Sequence, residues 1–230
     1  MLSNRVQKVK PSATMAVSDK AKELKSQGIQ IVSMGSGETD FDTPTNIQKA
    51  AIKAIGNGET RYTAADGTPE LKKAICEKFK RENGLDYSLN EVMVSCGGKQ
   101  VFYNLCQAIL NSGDEVIIPT PYWVSYPDMA ILADATPVFI EAGLDQDFKI
   151  SPEQLEASIT ANTKLLVLNS PSNPTGSVYS KSEIEALGTV LEKHSHVLII
   201  SDDIYEHIRW GDDDFVNIAM ACPKIGRAHV

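Results

Sequence analysis

Two segments of this chain carry polar side chains directly after a predicted strand, where they could bind a ligand together. Residues 165–176 read LLVLNSPSNPTG and residues 197–207 read VLIISDDIYEH, so each changes abruptly from an apolar run to polar residues. A short unbroken apolar run predicts a strand that is buried on both faces. The residues between the two segments have the apolar spacing of a helix, which completes a strand, helix and strand unit. Asn173 and Asp202 are therefore expected on one rim of a sheet, where α/β folds bind ligands.

A glycine-rich turn farther upstream has the composition of a phosphate site. Residues 96–100, CGGKQ, separate a strand predicted over 91–95 from a helix predicted over 101–110. Glycines let the backbone approach an anion, and the first free amides of a helix point at it with the favourable end of the helix dipole. A Gly-Gly turn alone is more often only a tight connection. Both interpretations stay open for the turn by itself.

Strands and helices alternate along the chain with short connections. This alternation predicts an α/β fold with a parallel, right-handed, doubly wound sheet. Strands are predicted at residues 29–34, 91–95, 115–119 and 136–141 and at the start of each of the two polar-ended segments. Helices are predicted at residues 15–27, 45–56, 68–83, 101–110, 128–133, 151–159 and 180–194, with Ser151 capping the sixth of these.

Composition narrows the class of protein. The chain has 230 residues, 42% of them hydrophobic, which is enough for a real core. Its net charge of −8 gives no basic surface for nucleic acid and disfavours an anionic membrane as partner. The four cysteines form no CxxC pair, so free thiols in a reducing compartment are expected, and no apolar run resembles a signal peptide or spans a bilayer. A cytoplasmic protein is the expectation.

The polar ends of the two segments resemble a known pair of motifs. Residues 173–176, NPTG, followed by residues 201–205, SDDIY, are similar to the paired signature of class I and II aminotransferases. These enzymes have fold type I and use pyridoxal 5'-phosphate (PLP). Among them the opening residues 10–14, KPSAT, together with residues 98–100 and 122–126, are most similar to bacterial and plastid-type aspartate aminotransferases, some of which also accept prephenate.

The resemblance implies how the cofactor ring is held. Asp202 would face the pyridine nitrogen and favour its protonated form, which makes the ring an electron sink. Asn173 and Tyr205 would hydrogen-bond the phenolic oxygen of the ring, and the bond between Asn173 and Pro174 would be cis. Trp123 would lie flat against the ring, and Trp123 and Asn173 would also contact the substrate. Without the match at Asn173, a helix cap or an ion pair would be the preferred interpretation of Asp202.

The resemblance also implies a phosphate cradle and a shared active site. Gly98, Lys99 and Gln100 would bind the cofactor phosphate, and Lys99 would be available to an acidic group of the substrate. Tyr62 would reach across a homodimer interface to the phosphate of the other subunit. Gly37, in a loop rich in Gly, Asp and Pro, would meet the substrate carboxylate through its backbone amide. By its residues alone the loop is equally compatible with a plain connector. A tyrosine in the setting of Tyr62 is usually an ordinary, partly buried residue.

Several other residues that could do chemistry are expected to be structural. Tyr122 and Tyr126 flank Trp123 and are expected to pack in the core. Asp203 should project to the side of its strand opposite Asp202. The histidines His194, His196 and His207 show no acidic or cysteine partner at ligand spacing, so no metal site is expected.

The resemblance divides the sequence into three parts. Residues 1–44 are expected to be an N-terminal arm and the start of a small domain, and residues 45–224 an incomplete PLP-binding large domain. Residues 225–230, IGRAHV, look like a translated sequencing adapter and are expected to be a non-native tail. The family's Schiff-base lysine comes after the Asp-x-x-Tyr motif, and only Lys224 follows Tyr205 here, so the chain is expected to be an N-terminal fragment that is inactive alone.

The function implied is PLP-dependent transfer of an amino group between an amino acid, with aspartate the best candidate, and a 2-oxo acid. Two alternatives stay open. One is another fold type I activity, such as a β-lyase or an aromatic aminotransferase, because these enzymes share the visible cofactor residues. The other is a noncatalytic PLP-binding regulatory module, although no helix-turn-helix precedes the arm in this sequence.

Overall fold

The computed structural model describes residues 2–11, 13–32, 34, 37, 39, 41–211 and 214–225. The chain divides into two compact units, one made of Met1–Val9 with Asp66–Val230 and the other of Lys10–Ala65. The three-part division expected from the sequence stays a prediction. Apart from Ile225, its non-native tail lies outside the described residues.

The larger unit is built on a sheet of four parallel strands in the order β2-β1-β3-β4. The strands are β1 Glu115–Thr120, β2 Thr136–Glu141, β3 Thr163–Asn169 and β4 Leu198–Asp202. Each connection between them carries a helix, as parallel strands require. The parallel α/β sheet expected from the alternating pattern is confirmed.

The structure describes helices before, between and after the four strands. In chain order they are α1 Asn4–Lys8, α2 Ala13–Ser26, α3 Thr45–Gly56, α4 Pro69–Lys78, α5 Gly98–Ile109, α6 Ser125–Leu132, α7 Pro152–Ser158, α8 Lys181–Leu191 and α9 Ile218–Ala221. The hydroxyl of Ser151 caps α7 as expected, accepting a hydrogen bond of 3.3 Å from the backbone N–H of Gln154. A π-helical turn, Phe79–Asn83, extends α4, and 3-10 turns lie at Leu89–Glu91 and Leu144–Gln146.

Alternate residues of β1, β3 and β4 enter two cores, one on each face of the sheet. Ile117, Leu166 and Ile199 lie in the core that α7, α8 and α9 cover. Their strand neighbours Val116, Leu165 and Ile200 lie in the core that α5 and α6 cover. Both faces are therefore buried, which is why these strands read as unbroken apolar runs, and the doubly wound arrangement is confirmed.

Two predicted strands are absent from the described structure. Residues 29–32 and 34 are not in a strand, and Val32 and Met34 are about nine-tenths exposed. Residues 92–95 are also outside the sheet, and the backbone N–H of Val94 donates a hydrogen bond to the carbonyl of Asp66, which is not in a strand. A strand forms only where a second strand satisfies its backbone groups, and apolar composition does not supply that partner.

The smaller unit contains α2 and α3. Ile47, Ile52 and Ile55 of α3 have more than half of their surface exposed, so the apolar side of this helix has no cover within the unit. Among the described helices, none combines the length and the apolar composition needed to cross a bilayer.

Candidate active site

Asp202 is the last residue of β4 and lies at the carboxyl edge of the sheet. Its Oδ2 accepts a hydrogen bond of 2.6 Å from the hydroxyl of Tyr126, and its Oδ1 accepts one of 3.3 Å from the backbone N–H of Ile204. The carboxylate is partly buried, so these donors fix its orientation. No lysine or arginine of the described residues pairs with it, so the ion-pair alternative is not what the structure shows.

Tyr126 holds that carboxylate from the first turn of α6. Its side chain is 2% exposed and packs against the rings of Phe102 and Trp123, with centroids 5.0 and 5.3 Å away. Burial raises the pKa of the Tyr126 hydroxyl far above its ordinary value, and the Asp202 carboxylate and the nearby Tyr205 raise it further. The hydroxyl therefore stays protonated and remains a donor. The expectation that Tyr126 only packs in the core was incomplete.

Asn169 joins the two polar strand ends. It is the last residue of β3 and is paired in register with Asp202 of β4. Its side-chain Nδ2 donates a hydrogen bond of 2.9 Å to the backbone carbonyl of Asp202, while its Oδ1 accepts one of 2.8 Å from the backbone N–H of Asn173. One amide therefore contacts both segments that the sequence placed on this rim. The bond between Asn173 and Pro174 is cis, as expected.

Tyr205 lies in the turn that follows β4. Its carbonyl accepts a hydrogen bond of 2.8 Å from the backbone N–H of Ile208, which closes the turn. The next residue, Glu206, anchors the turn by pairing with Lys78 at the end of α4 and by accepting a hydrogen bond of 3.3 Å from Asn83 of the π-helical turn. The predicted hydrogen bond of the Tyr205 hydroxyl to the phenolic oxygen of the ring stays a prediction.

The glycine turn opens α5 with free backbone donors. Gly97 has φ of +84°, a conformation that favours glycine, and α5 begins at Gly98, three residues earlier than predicted. Among the described residues no acceptor is found for the backbone N–H groups of Gly98 and Lys99, and a Cβ added at Gly97 or Gly98 would meet no atom within 4 Å. Open space in front of free amides at a helix N-terminus is what a phosphate requires.

Gln100 contributes differently from its two neighbours. Its backbone N–H donates to the carbonyl of Gly97 at 3.0 Å, and its side-chain Oε1 accepts a hydrogen bond of 2.6 Å from the N–H of Cys96. In this structure Gln100 therefore braces the turn. Its contact with the phosphate stays a prediction. The side-chain Nε2 would have to make that contact.

Trp123 connects the turn to the Asp202 side chain. The ammonium of Lys99 lies 5.2 Å from the centroid of the Trp123 ring, within the range of a cation–π contact. The Trp123 ring also meets the Tyr126 ring edge-on, with an angle of 85° between the planes. Tyr122 stacks on Phe139 with centroids 5.1 Å apart, so its expected packing role is confirmed.

Two predicted site residues belong to the smaller unit. Tyr62 is fully exposed there, and Gly37 is exposed with no atom within 4 Å of an added Cβ. Their predicted contacts with the cofactor phosphate of another subunit and with the substrate carboxylate stay predictions.

Asp203 lies on the opposite face of the sheet from Asp202, as expected from strand alternation. Its oxygens accept hydrogen bonds of 2.7 Å from the hydroxyl of Ser201 and 2.7 Å from Nδ2 of Asn217. Burial raises the pKa of the Asp203 carboxyl to about 6, and the charges of Glu206 and Asp202 add to the shift. Asp203 thus ties α9 to the sheet away from the candidate site.

His207 has acidic neighbours that its sequence spacing did not suggest. Its Nε2 lies 3.4 Å from Glu82 and 3.5 Å from Glu206, and within the described part of the chain these three residues form the one group with metal-ligand geometry. Lys78 already pairs with both carboxylates, and His207 is exposed. The group is accounted for as a surface ion-pair network.

The larger unit therefore brings most of the predicted cofactor residues into one connected set. Lys99, Trp123, Tyr126 and Asp202 follow one another in contact, and Asn169 continues the set to Asn173. A carboxylate, free helix amides and an aromatic ring suit a phosphorylated pyridine. Sequence reasoning missed two members. Tyr126 lies one helical turn after Trp123, and Asn169 is the first polar residue after a buried run. Both features can be read from the sequence, but neither is specific for a cofactor site.

A doubly wound parallel sheet with these residues at its carboxyl edge is the arrangement expected for fold type I, the fold of a class of PLP-dependent enzymes. The family "Aminotransferase class I and II" matches residues 29–229. The aspartate/prephenate aminotransferases of Nitrosomonas europaea and Cereibacter sphaeroides are 57% and 56% identical to this chain over 97% of its length, and the match covers 56% of each. The chain thus spans little more than half the length of these relatives.

Comparison with solved structures leads to the same family. The aspartate aminotransferase from Rhizobium meliloti superposes with a TM-score of 0.96 at 44% identity, over 100% of this chain and 57% of that one. The aspartate aminotransferase from Thermus thermophilus with maleate gives 0.92 at 46% identity, over 98% and 58%. The chain belongs to the class I and II aminotransferase family, whose cofactor is PLP.

Proposed function

We propose that the protein containing this chain transfers an amino group between an amino acid and a 2-oxo acid with the help of PLP. The observation that carries the proposal is the Asp202 carboxylate, held by Tyr126 at 2.6 Å and linked through Asn169 to Asn173. The family match and the names of the relatives support the same reaction.

The roles of the side chains follow from their chemistry. When bound, PLP supplies an electron sink for bond cleavage at the α-carbon of the amino acid. Asp202 stabilises the positive charge on the pyridine nitrogen, and Asn173 and Tyr205 donate to the phenolic oxygen. Trp123 fixes the plane of the ring, while the free amides of Gly98 and Lys99 bind the phosphate.

Aspartate is the proposed amino donor. Two relatives are named aspartate/prephenate aminotransferases and two structural neighbours aspartate aminotransferases. In this chain the ammonium of Lys99, next to Trp123, is a cation available to the second carboxylate of such a substrate. Prephenate, which also carries carboxylates, is a second proposed amino acceptor beside 2-oxo acids of the 2-oxoglutarate type.

The proposal extends to parts of the protein that this sequence does not supply. We propose that the Schiff-base lysine lies in the part of the relatives' length that this chain does not cover, and that the 230-residue chain alone is inactive. The working enzyme is proposed to be a cytoplasmic homodimer in which Tyr62 of each subunit serves the phosphate of the other.

The test is an assay of the full gene product loaded with PLP. Aspartate and 2-oxoglutarate should give oxaloacetate and glutamate, with the parallel reciprocal plots of a ping-pong cycle. The same preparation is offered prephenate as acceptor and, separately, a β-lyase substrate. Release of ammonia and pyruvate without amino-group transfer would identify a lyase. PLP binding with no turnover of any substrate would favour the regulatory module.

A further inference from the structure

Asn169 is a partly buried link between two segments of the site, and the side-chain roles proposed above do not include it. Backbone pairing between β3 and β4 ends with Asn169 opposite Asp202. Beyond that pair, the segment after β3 leads to Asn173 and the segment after β4 leads to Tyr205. The Asn169 side chain continues the connection, with hydrogen bonds of 2.9 Å to the Asp202 carbonyl and 2.8 Å from the Asn173 N–H.

The two contacts require an amide. The Asp202 carbonyl needs a donor and the Asn173 N–H needs an acceptor, and a carboxamide presents one of each from a short rigid stem. The two hydrogen bonds also fix which end of the amide is oxygen, because the reverse assignment would face N–H with N–H and oxygen with oxygen. An aspartate would keep the acceptor but place a second oxygen against a carbonyl.

We propose that Asn169 is a positioning residue, which sets the separation between the Asn173 side chain and the Asp202 carboxylate that hold opposite sides of one ring. The inference rests on the proposed function, since it assigns both partners to the cofactor. Asn169 and Asn173 line the same cleft at this edge, together with Tyr122 and Tyr126, so a shift of either strand end changes the shape of that cleft.

A purely structural role makes a different prediction. If Asn169 only satisfied the Asp202 carbonyl and the Asn173 N–H, its loss would lower the stability of the apoprotein and leave the bound cofactor unaltered. A positioning role moves Asn173 relative to the ring. The hydrogen bond to the phenolic oxygen then weakens, and the electronic state of the cofactor changes.

The experiment compares Asn169→Asp and Asn169→Ser with Asn162→Asp in the full gene product. Asn162 lies exposed just before the other end of β3, so the last variant makes the same chemical change away from the site. Three quantities are measured: the Kd for PLP by quenching of tryptophan fluorescence, the pH midpoint of the absorbance of the bound cofactor, and the Tm of the apoprotein.

We expect both Asn169 variants to bind PLP roughly tenfold more weakly, which corresponds to the loss of about one hydrogen bond. The pH midpoint should rise, because the phenolic oxygen loses a donor. Asn169→Ser introduces no charge, so the same three quantities can be measured on this variant if Asn169→Asp does not fold. Asn162→Asp should match the wild type in all three quantities.

The inference is overturned if the wild type binds PLP and both Asn169 variants keep its Kd and its pH midpoint, whatever their Tm. Failure of the wild type itself to bind PLP is a separate result, because it removes the proposed function and this inference together.

Discussion

The hydroxyl of Tyr126 donates a hydrogen bond of 2.6 Å to Oδ2 of Asp202, a residue 76 positions farther along the chain. The contact joins the first turn of α6 to the end of β4 on one face of the sheet. Burial raises the pKa of the Tyr126 hydroxyl far above the neutral range, so the donor is protonated at neutral pH. The carboxylate is thus oriented by the fold itself.

Replacing Tyr126 by Phe should separate this hydrogen bond from ring packing. The Phe ring keeps the contacts with Phe102 and Trp123, but Asp202 loses a buried donor. A hydrogen bond to a charged group contributes about 1.5–3 kcal/mol, so kcat/KM for transamination by the full gene product should fall roughly tenfold or more. Tyr103→Phe, at a partly exposed position on α5, is the matched control. Equal rates for the two variants would contradict the role of the hydroxyl.

Removing the charge of Asp202 tests the site more directly. Asp202→Asn keeps the shape of the side chain but no longer stabilises a protonated ring nitrogen. The loss of a preorganised charge should lower kcat by roughly 100-fold or more. Asp145→Asn makes the same change at an exposed position in a 3-10 turn and should leave kcat at the wild-type value. Wild-type turnover by Asp202→Asn would show that this carboxylate does not face the ring.

The phosphate cradle can be tested without damage to the fold. Alanine at Gly98 meets no atom within 4 Å and suits a helix, so the Tm of the apoprotein should not fall. The added methyl group occupies space in front of the free amides, and the Kd for PLP should rise roughly tenfold, about 1.4 kcal/mol. Gly56→Ala, which also has open space at a helix end, is the control. An unchanged Kd for Gly98→Ala would place the phosphate elsewhere.

Asp203 should make stability depend on pH in a defined direction. Its carboxyl has a pKa of about 6 in the folded protein and about 3.9 when unfolded, so the folded state binds the proton more tightly. The free energy of unfolding should therefore decrease as the pH rises from about 4 to about 6, by up to about 3 kcal/mol, and stay lower above that range.

Asp203→Asn removes this titration and can still bond to Ser201 and Asn217. Urea unfolding at pH 4.5 and pH 7 should then show the variant gaining stability relative to the wild type at the higher pH. The same difference between the two proteins at both values would mean that Asp203 titrates normally.

The sequence alone determined the features that depend on neighbouring residues. The apolar runs of β1, β3 and β4 identified buried strands because both of their faces are covered, and the residues NPTG and SDDIY identified the family. The cis bond before Pro174 followed from the same motif. These patterns are local, so one chain without its fold was enough to read them.

The tertiary structure decided which contacts are made by residues that look equivalent in the sequence. Tyr122 and Tyr126 look alike in sequence, but one stacks on Phe139 and the other reaches Asp202. Asn169 received its role from strand register, which brings it opposite Asp202. The apolar residues 29–32 lacked a partner strand and stayed outside the sheet. Each outcome depends on residues distant in the chain, and hydrogen-bond partners and strand pairs of that kind exist only after folding brings them together.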